Sequence, residues 1–414
     1  MKHGQDPVLS IVDELCRERG YRKDKGGPGE GAIAELVASK LRAFPWLTVM
    51  VEHLGDEIYN VLAFDGDPSE VELLIVGHLD TVIPSSEWTM EEFSDDGTFY
   101  YALGANDTRG GIAAALDAIG KAGRTSKVGY LFYGDEEYQF VGMKEFVRTH
   151  PDVAPRFGLS VCGGKAEAYL GWRACTEIEL LFRGVPGHAS RPWAGANAAE
   201  AVSRVTEAVR RACAESVSES GTAVNIAAIH AGSFSPPAFV RKDADSPFVS
   251  YDFERDYRLG KQESPPLANV ANKIPDMAWA LMDIRPGGKG VTAAFMERVA
   301  QEELAAFNAG REHRVTMEFH VNFEMPAYEA DRELIRPMFD LFLPVHAGKS
   351  VPTASTGFVD VTLISGMHGT QFMCLSPAGA RPHSGDESVK IASLLAYRDC
   401  IVSLLSGYKA PNSD

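Results

Sequence analysis

The chain of 414 residues has few cysteines, no long apolar run and no surplus of basic residues. Its six cysteines are scattered, which is typical of reduced thiols and not of a disulfide framework. No apolar segment approaches the roughly 18 residues that a membrane-spanning helix needs. The N-terminal sequence MKHGQDPVLSIVDELC also lacks the apolar core of a signal peptide. We therefore expect a cytoplasmic protein that does not cross a membrane.

The charge balance is acidic. Forty Lys and Arg residues stand against 57 Asp and Glu residues, which gives a net charge of −17. Nucleic acids and anionic membrane surfaces attract basic patches, so neither is an expected partner. Apolar residues make up 45% and charged residues 23% of the chain, an ordinary globular composition, and the length exceeds that of one ordinary hydrophobic core. The composition predicts a globular protein with two domains.

Helical and strand patterns alternate in the first part of the chain. The apolar, β-rich runs 71–77 and 127–133 are typical of buried strands, while 30–43 and 111–122 have helical periodicity. Such alternation predicts an α/β domain with a mostly parallel central sheet flanked by helices.

Residues 174–323 have a different pattern. Strands and helices are predicted there in the order β-α-β-β-α-β, which is the order of a ferredoxin-like α+β sandwich. The α/β pattern returns from residue 324. We therefore expect a larger domain formed by residues 1–173 and 324–414, with a small α+β domain inserted into it.

Four polar motifs occur where predicted strands and helices meet. Taken singly, each has an ordinary explanation as a strand-end histidine, a helix-capping aspartate, an acidic surface turn or a surface histidine. Together they offer two histidines and several carboxylates at one edge of a sheet, a ligand set for one or two divalent ions such as zinc, manganese or cobalt. The residues are His78 and Asp80 in GHLDT, Asp107 in GANDTRGG, Glu136 and Glu137 in YGDEEY, and His383 in RPHSGDES.

These motifs, with GHASRPWAGANA, ANKIP and DIR between them, resemble in order the dinuclear-metal aminopeptidase/deacylase family. That family includes glutamate carboxypeptidase, succinyl-diaminopimelate desuccinylase, aminoacylase and carnosinase. The resemblance covers essentially the whole chain. It implies a metallohydrolase whose inserted domain serves as a lid and a dimerisation domain, and hence a homodimer or a larger homo-oligomer.

The resemblance also implies a role for each matching residue. His78, Asp107, Glu137 and His383 match metal ligands, and among them Asp107 matches the carboxylate that bridges two ions. Glu136 matches the general base that takes a proton from the metal-activated water. Asp80 matches the carboxylate behind a metal ligand, and His188 matches the lid histidine that reaches into the partner subunit's active site and stabilises the oxyanion. Asn272 and Arg285 match the residues that hold the substrate carboxylate.

The sequence departs from the family pattern at two positions. The third carboxylate ligand falls at about Cys162, in SVCGGKAEA. Either the Cys162 thiolate replaces that carboxylate, or one metal site is weak or absent; Glu167 lies too late in the sequence to be a strong candidate. Thr362 stands where the family commonly has an arginine, which predicts atypical substrate recognition.

We expect hydrolysis of a C–N bond, in an amide or peptide, within a small carboxylate-bearing substrate. A bound divalent metal lowers the pKa of its water to roughly 7, so a hydroxide-like nucleophile exists at neutral pH. One alternative is an aminohydrolase that releases ammonia from an aromatic amine such as a nitroanthranilate. Another is a non-catalytic, metal-binding relative. The long stretch 233–268 either shapes the substrate pocket or a subunit contact, or is a surface loop; its aromatic residues would suit an aromatic slot.

Overall fold

A computed structural model describes residues 6–216, 221–232, 272–287, 290–353 and 356–410. The chain divides into two compact units. The first unit consists of Met1–Gly171, Glu329–Pro352 and Val359–Asp414, and the second of Trp172–Tyr328 and Thr353–Phe358. Residues 233–268, for which we predicted a role in the pocket or in a subunit contact, lie outside the described residues.

The strands and helices of the described residues are numbered here in chain order. The strands are β1 (Thr48–His53), β2 (Tyr59–Phe64), β3 (Leu73–His78), β4 (Ser94–Asp95), β5 (Phe99–Tyr101), β6 (Val128–Tyr133), β7 (Phe157–Ser160), β8 (Ala168–Tyr169), β9 (Gly171–Trp172), β10 (Cys175–Arg183), β11 (Ala223–Gly232), β12 (Met277–Arg285), β13 (Thr316–Met325), β14 (Tyr328–Glu329), β15 (Ser350–Val351), β16 (Gln371–Cys374), β17 (Gly379–Ala380) and β18 (Ser388–Lys390). The α-helices are α1 (Pro7–Arg17), α2 (Gly31–Arg42), α3 (Gly110–Ala122), α4 (Val141–Thr149), α5 (Ala198–Glu215), α6 (Ala293–Asn308), α7 (Arg332–Leu341), α8 (Leu343–His346), α9 (Thr362–His368) and α10 (Ile391–Ser406).

The first unit is built on an eight-stranded sheet with the order β1-β2-β6-β3-β7-β16-β8-β15. The neighbours β6, β3, β7 and β16 run parallel to one another, and β1 and β2 are antiparallel at one edge. Every residue of β3 and β6 is buried, as expected for central strands of a sheet covered on both faces. The predicted α/β class, with a mostly parallel sheet flanked by helices, is therefore confirmed.

Helix α3 lies at the centre of the first unit. It packs against α1 and α10, and its residues from Gly110 to Ile119 are all buried. Helix α2 packs on β1 and β2. A second, four-stranded sheet has the order β17-β18-β5-β4 and joins segments near α3 to the C-terminal part of the chain.

The second unit contains a four-stranded antiparallel sheet with the order β11-β12-β10-β13. Helices α5 and α6 pack together and cover its buried face, where residues such as Phe182, Val205 and Met282 form the core. The side chain of Asn197 begins α5 by accepting hydrogen bonds from two backbone N–H groups of its first turn. The order β10-α5-β11-β12-α6-β13 agrees with the predicted β-α-β-β-α-β pattern.

All six cysteines are free thiols. Five are buried, as expected for small apolar side chains in a protein core, whereas Cys162 is only half-buried. In the part of the chain that the structure describes, no helix has both the length and the apolar character to cross a membrane.

Candidate metal centre

The carboxyl ends of three adjacent strands carry four of the predicted metal-site residues. His78 is the last residue of β3, Glu136 and Glu137 follow β6, and Cys162 follows β7. Because β6, β3 and β7 are parallel neighbours, these ends meet at one edge of the sheet. All of these residues belong to the first unit.

Asp107 contacts both histidines of the predicted ligand set. Its Oδ1 lies 3.2 Å from His78 Nε2, and its Oδ2 lies 3.1 Å from His383 Nε2. His383 Nε2 also lies 3.0 Å from Glu137 Oε1. A carboxylate with one oxygen toward each histidine has the arrangement of a bridging ligand, which is the role that the family resemblance implies for Asp107.

The ligand atoms form three triads that can each hold a metal ion. The atoms of each triad all lie within 4.8 Å of one another. Two of the triads share Asp107, so the cluster offers two adjacent subsites. Imidazole, carboxylate and thiolate ligands suit zinc and similar divalent ions. The triads are His78 with Asp107 and Cys162, Asp107 with Glu137 and His383, and His78 with Glu136 and Glu137.

Close packing around Val161 brings three ligand segments together. A Cβ atom at Gly77 would lie 2.8 Å from Val161 Cγ2, and one at Gly111 would lie 2.8 Å from Val161 Cβ. The Thr108 hydroxyl donates a 2.7 Å hydrogen bond to the Val161 carbonyl. The absence of side chains at the two glycines therefore lets β3 and α3 approach β7 closely beside His78, Asp107 and Cys162.

Asp80, for which we predicted a position behind a metal ligand, is fully buried. Its carboxylate accepts hydrogen bonds from the backbone N–H groups of Glu136, at 3.1 Å, and Glu137, at 2.9 Å. The His78 Nδ1 lies 3.1 Å from the Asp80 carbonyl and 3.4 Å from its carboxylate. Asp80 thus holds His78 mainly through its backbone and fixes the acidic turn through its side chain.

Two further buried carboxylates bind the backbone of ligand segments. Glu30 accepts hydrogen bonds from the N–H groups of Tyr59 and Asp135, each at 2.9 Å. Glu387 accepts hydrogen bonds from the N–H groups of Asn106 and Asp107, each at 3.0 Å. Neither glutamate was predicted from the sequence. Glu387 lies within the PHSGDES motif, but Glu30 has no local signal because its partners are distant in sequence.

The electrostatics of the cluster favour a cation. Burial raises the pKa of Glu136 well above its usual value, although the charge of His78 opposes the shift. Burial likewise raises the pKa of Glu137, against a hydrogen bond with His383. Hydrogen bonds with Asp107 and Glu137 raise the pKa of His383 to about 10. Adjacent buried carboxylates repel one another when ionised, and a positive charge placed between them relieves that repulsion.

Cys162 lies beside His78 and Asp107, at the position where the family pattern has a carboxylate. Burial raises the pKa of its thiol, while the charge of His78 acts in the opposite direction. Glu167 is half-buried and is in none of the three triads. Thr362 is buried at the first residue of α9.

The other predicted residues belong to the second unit. His188 and Asn272 lie on adjoining segments, because the Ala189 N–H donates a 2.8 Å hydrogen bond to the Asn272 carbonyl. His188 Nδ1 accepts a hydrogen bond from the Ser190 N–H at 3.2 Å, so a neutral His188 carries its proton on Nε2. That tautomer leaves an N–H donor of the kind that an oxyanion needs.

Arg285 is paired within its own strand. Its guanidinium binds the Asp283 carboxylate with two hydrogen bonds, at 2.7 and 2.8 Å, and lies 5.1 Å from the ring centroid of Phe358. A substrate carboxylate at Arg285 would therefore compete with Asp283 for the same donors. The structure does not place Arg285 beside Asn272 in any described contact.

The fold and the cluster define a metallohydrolase with an α/β unit that contains the candidate metal centre and an inserted α+β unit. The model of Peptidase family M20/M25/M40 matches residues 74–406, and the chain belongs to that family. This match confirms the resemblance that the motifs indicated, and it makes the chain a peptidase-like hydrolase.

Relatives of known name agree with this assignment. A probable carboxypeptidase of Aspergillus flavus is 28% identical over 230 residues, which cover 49% of this chain and 53% of that protein. The chain spans about half the length of the curated relatives it matches. A tripeptidase from Staphylococcus aureus has the same fold, with a TM-score of 0.69, 17% identity and coverage of 97% of this chain and 98% of that one. A dinuclear metal binding peptidase of Bacillus subtilis has a TM-score of 0.63, 12% identity and coverage of 96% and 97%.

Proposed function

We propose that the protein hydrolyses a C–N bond, in an amide or a peptide, within a small carboxylate-bearing substrate, and that its first unit is the catalytic domain. The observation that carries the proposal is the placement of Asp107, whose two oxygens face His78 and His383 at 3.2 and 3.1 Å. Such a carboxylate is suited to hold two divalent ions side by side. His78, Asp107 and Cys162 would hold one ion, and Asp107, Glu137 and His383 the other.

The donor set fits zinc, manganese or cobalt, because it combines imidazole, carboxylate and thiolate groups. When bound, such an ion polarises a carbonyl oxygen and lowers the pKa of water to about 7. Glu136 is the general base of the proposed reaction, since its backbone is fixed by Asp80 and its side chain is grouped with His78 and Glu137. It accepts a proton from the attacking water and returns it to the leaving amine.

Residues of the second unit complete the proposal. His188, with its proton on Nε2, stabilises the negative charge that develops on the carbonyl oxygen. Asn272 and Arg285 bind the substrate carboxylate. To make that contact, Arg285 releases its hydrogen bonds to Asp283. The second unit is the lid and dimerisation domain, the protein is a homodimer or larger homo-oligomer, and its free thiols suit the cytoplasm.

No observation on the described residues favours the aromatic aminohydrolase. Its expected aromatic slot falls on residues outside the described ranges: Phe234, Phe239, Phe248, Tyr251, Phe253 and Tyr257. The non-catalytic alternative is disfavoured by the family match and by the clustering of the ligand set with Glu136.

The test measures metal content and hydrolysis together. The purified protein is stripped with a chelator, reloaded with zinc, manganese or cobalt, and assayed for amine release from a panel of dipeptides, tripeptides and N-acyl amino acids. We expect bound metal near two equivalents, loss of activity on chelation and recovery on reloading. Full activity in the stripped protein, or release of ammonia from aryl amines with no amide hydrolysis, would refute the proposal.

A further inference from the structure

Glu387 is a buried acid with an unusual set of hydrogen-bond partners. It immediately precedes β18 and is 1% exposed. One oxygen, Oε1, accepts the N–H groups of both Asn106 and Asp107 at 3.0 Å. No ion pair of Glu387 occurs among the described residues of the chain. The side chain of Glu387 thus binds the backbone of the turn that contains Asp107.

The main chain of Glu387 is held as firmly as its side chain. Its carbonyl accepts the Ala102 N–H at 3.0 Å, and the next residue, Ser388, pairs with Tyr101 across β18 and β5. Glu387 and Ser388 are thereby joined to Asp107 and to the end of β5 just before it, across 280 residues of sequence. The support is rigid because it belongs to a sheet.

The same short segment also carries His383. His383 Nε2 lies 3.1 Å from Asp107 Oδ2, while Glu387, four residues later, holds the Asp107 N–H. The segment therefore contacts Asp107 at both ends, at the carboxylate and at the backbone. A shift of Glu387 would change the distance between two ligands of the cluster.

We propose that Glu387 is a positioning residue that fixes the bridging carboxylate of Asp107 by hydrogen bonding to its backbone, and so sets the affinity of the metal centre. The inference rests on the proposed metal centre. Groups that orient metal ligands from behind commonly change metal affinity by about 10- to 100-fold when they are mutated. The hydrogen bond, and not the charge of Glu387, is the effective element.

Two conservative variants separate the effect of the Glu387 hydrogen bonds from the effect of its charge. Glu387→Gln loses the charge but keeps an oxygen in place of Oε1. Glu387→Asp keeps the charge but withdraws the carboxylate by about 1.5 Å, the length of one C–C bond. Asp117→Ala is the matched control. Asp117 is also a buried acid of the first unit, 8% exposed, but its partners are the side chains of Arg398 at 3.2 Å and Lys121 at 3.9 Å.

The experiment measures the zinc dissociation constant of each full-length variant by competition with a chromophoric chelator, with thermal unfolding recorded in parallel. We expect Glu387→Asp to weaken zinc binding by about 10- to 100-fold, and Glu387→Gln to bind like the wild type. Asp117→Ala should lower the unfolding temperature without changing zinc affinity. Wild-type affinity in Glu387→Asp, or equal losses in both Glu387 variants, would overturn the proposal. Absence of zinc binding by the wild type would instead refute the metal centre itself.

Discussion

The substitution Gly111→Ala tests whether close packing at Val161 builds the site. Gly111 lies in the first turn of α3, and a Cβ atom there would stand 2.8 Å from Val161 Cβ, or 0.6 Å short of the 3.4 Å at which ordinary contact begins. The carbonyl of Val161 lies closer still. Because that obstacle is backbone, α3 or β7 must move, and the Asp107 and Thr108 turn moves with α3.

The size of the effect follows from two opposing contributions. Forcing an extra carbon into a packed core typically costs about 1–3 kcal/mol, while replacing glycine by alanine within a helix gains about 1 kcal/mol. Gly120 provides the control, because it lies in the same helix and its Cβ would meet only the Phe44 ring, at 3.4 Å. Gly120→Ala should gain helix stability without any packing cost. The free energies of unfolding of the two variants should therefore differ by about 1–3 kcal/mol, the cost of overpacking.

The assay is urea denaturation of both variants with a chelator present, followed by kinetics of the metal-loaded proteins. A displacement of 1 Å at a reacting group can cost about 100-fold in rate, so we expect Gly111→Ala to lose at least about tenfold in kcat on this scale. Gly120→Ala should keep the wild-type rate. If the two variants proved equally stable and equally active, the close approach at Val161 would have no bearing on the metal centre.

Three further results are expected. Glu136→Gln should lower kcat by about 10²- to 10⁴-fold with unchanged metal content; an unaltered rate would exclude Glu136 as the base. Cys162→Ser should reduce bound zinc and Cys162→Asp should restore it, by elemental analysis; equal zinc in all three proteins would exclude the thiolate ligand. Burial raises the pKa of Glu30 from 4.5 to about 9. Between pH 4.5 and about 9 the folded protein therefore keeps a proton on Glu30 that the unfolded chain has lost. With a chelator present, the free energy of unfolding should therefore fall as the pH rises through this range. In urea titrations at several pH values, the free energy of unfolding of Glu30→Gln should depend less on pH than that of the wild type. An equal pH dependence in both proteins would contradict the raised pKa of Glu30.

Much of the fold could be predicted because the signals were local. The runs 71–77 and 127–133 are apolar, β-rich and bounded by polar turns, and they form β3 and β6 within two residues of the expected limits. Once those strands are parallel neighbours, the residues that follow them must share an edge of the sheet. The grouping of His78 with Glu136 and Glu137 then needs no further information.

The parts that were missed depend on distant contacts. Glu30 and Glu387 act by accepting backbone N–H groups, and no sequence pattern reports which N–H group a buried carboxylate will meet. Helix α1 was also not predicted, although Asp6 caps it and Pro7 begins it. The pairing of Arg285 with Asp283 could have been considered, because residues two apart on a strand project from the same face.

The position of β16 has a consequence for how the protein is made. β16 (Gln371–Cys374) pairs in parallel with β7 (Phe157–Ser160) and separates it from β8 (Ala168–Tyr169), although β7 and β8 are close in sequence. During synthesis the N-terminal part of a chain emerges and begins to fold first. The central sheet therefore stays incomplete between β7 and β8 until the ribosome has passed Cys374, and His383 follows only afterwards. In the proposed metal centre, an ion that bound before then would lack the His383 ligand, so binding by the full proposed ligand set would have to wait for the last stage of folding.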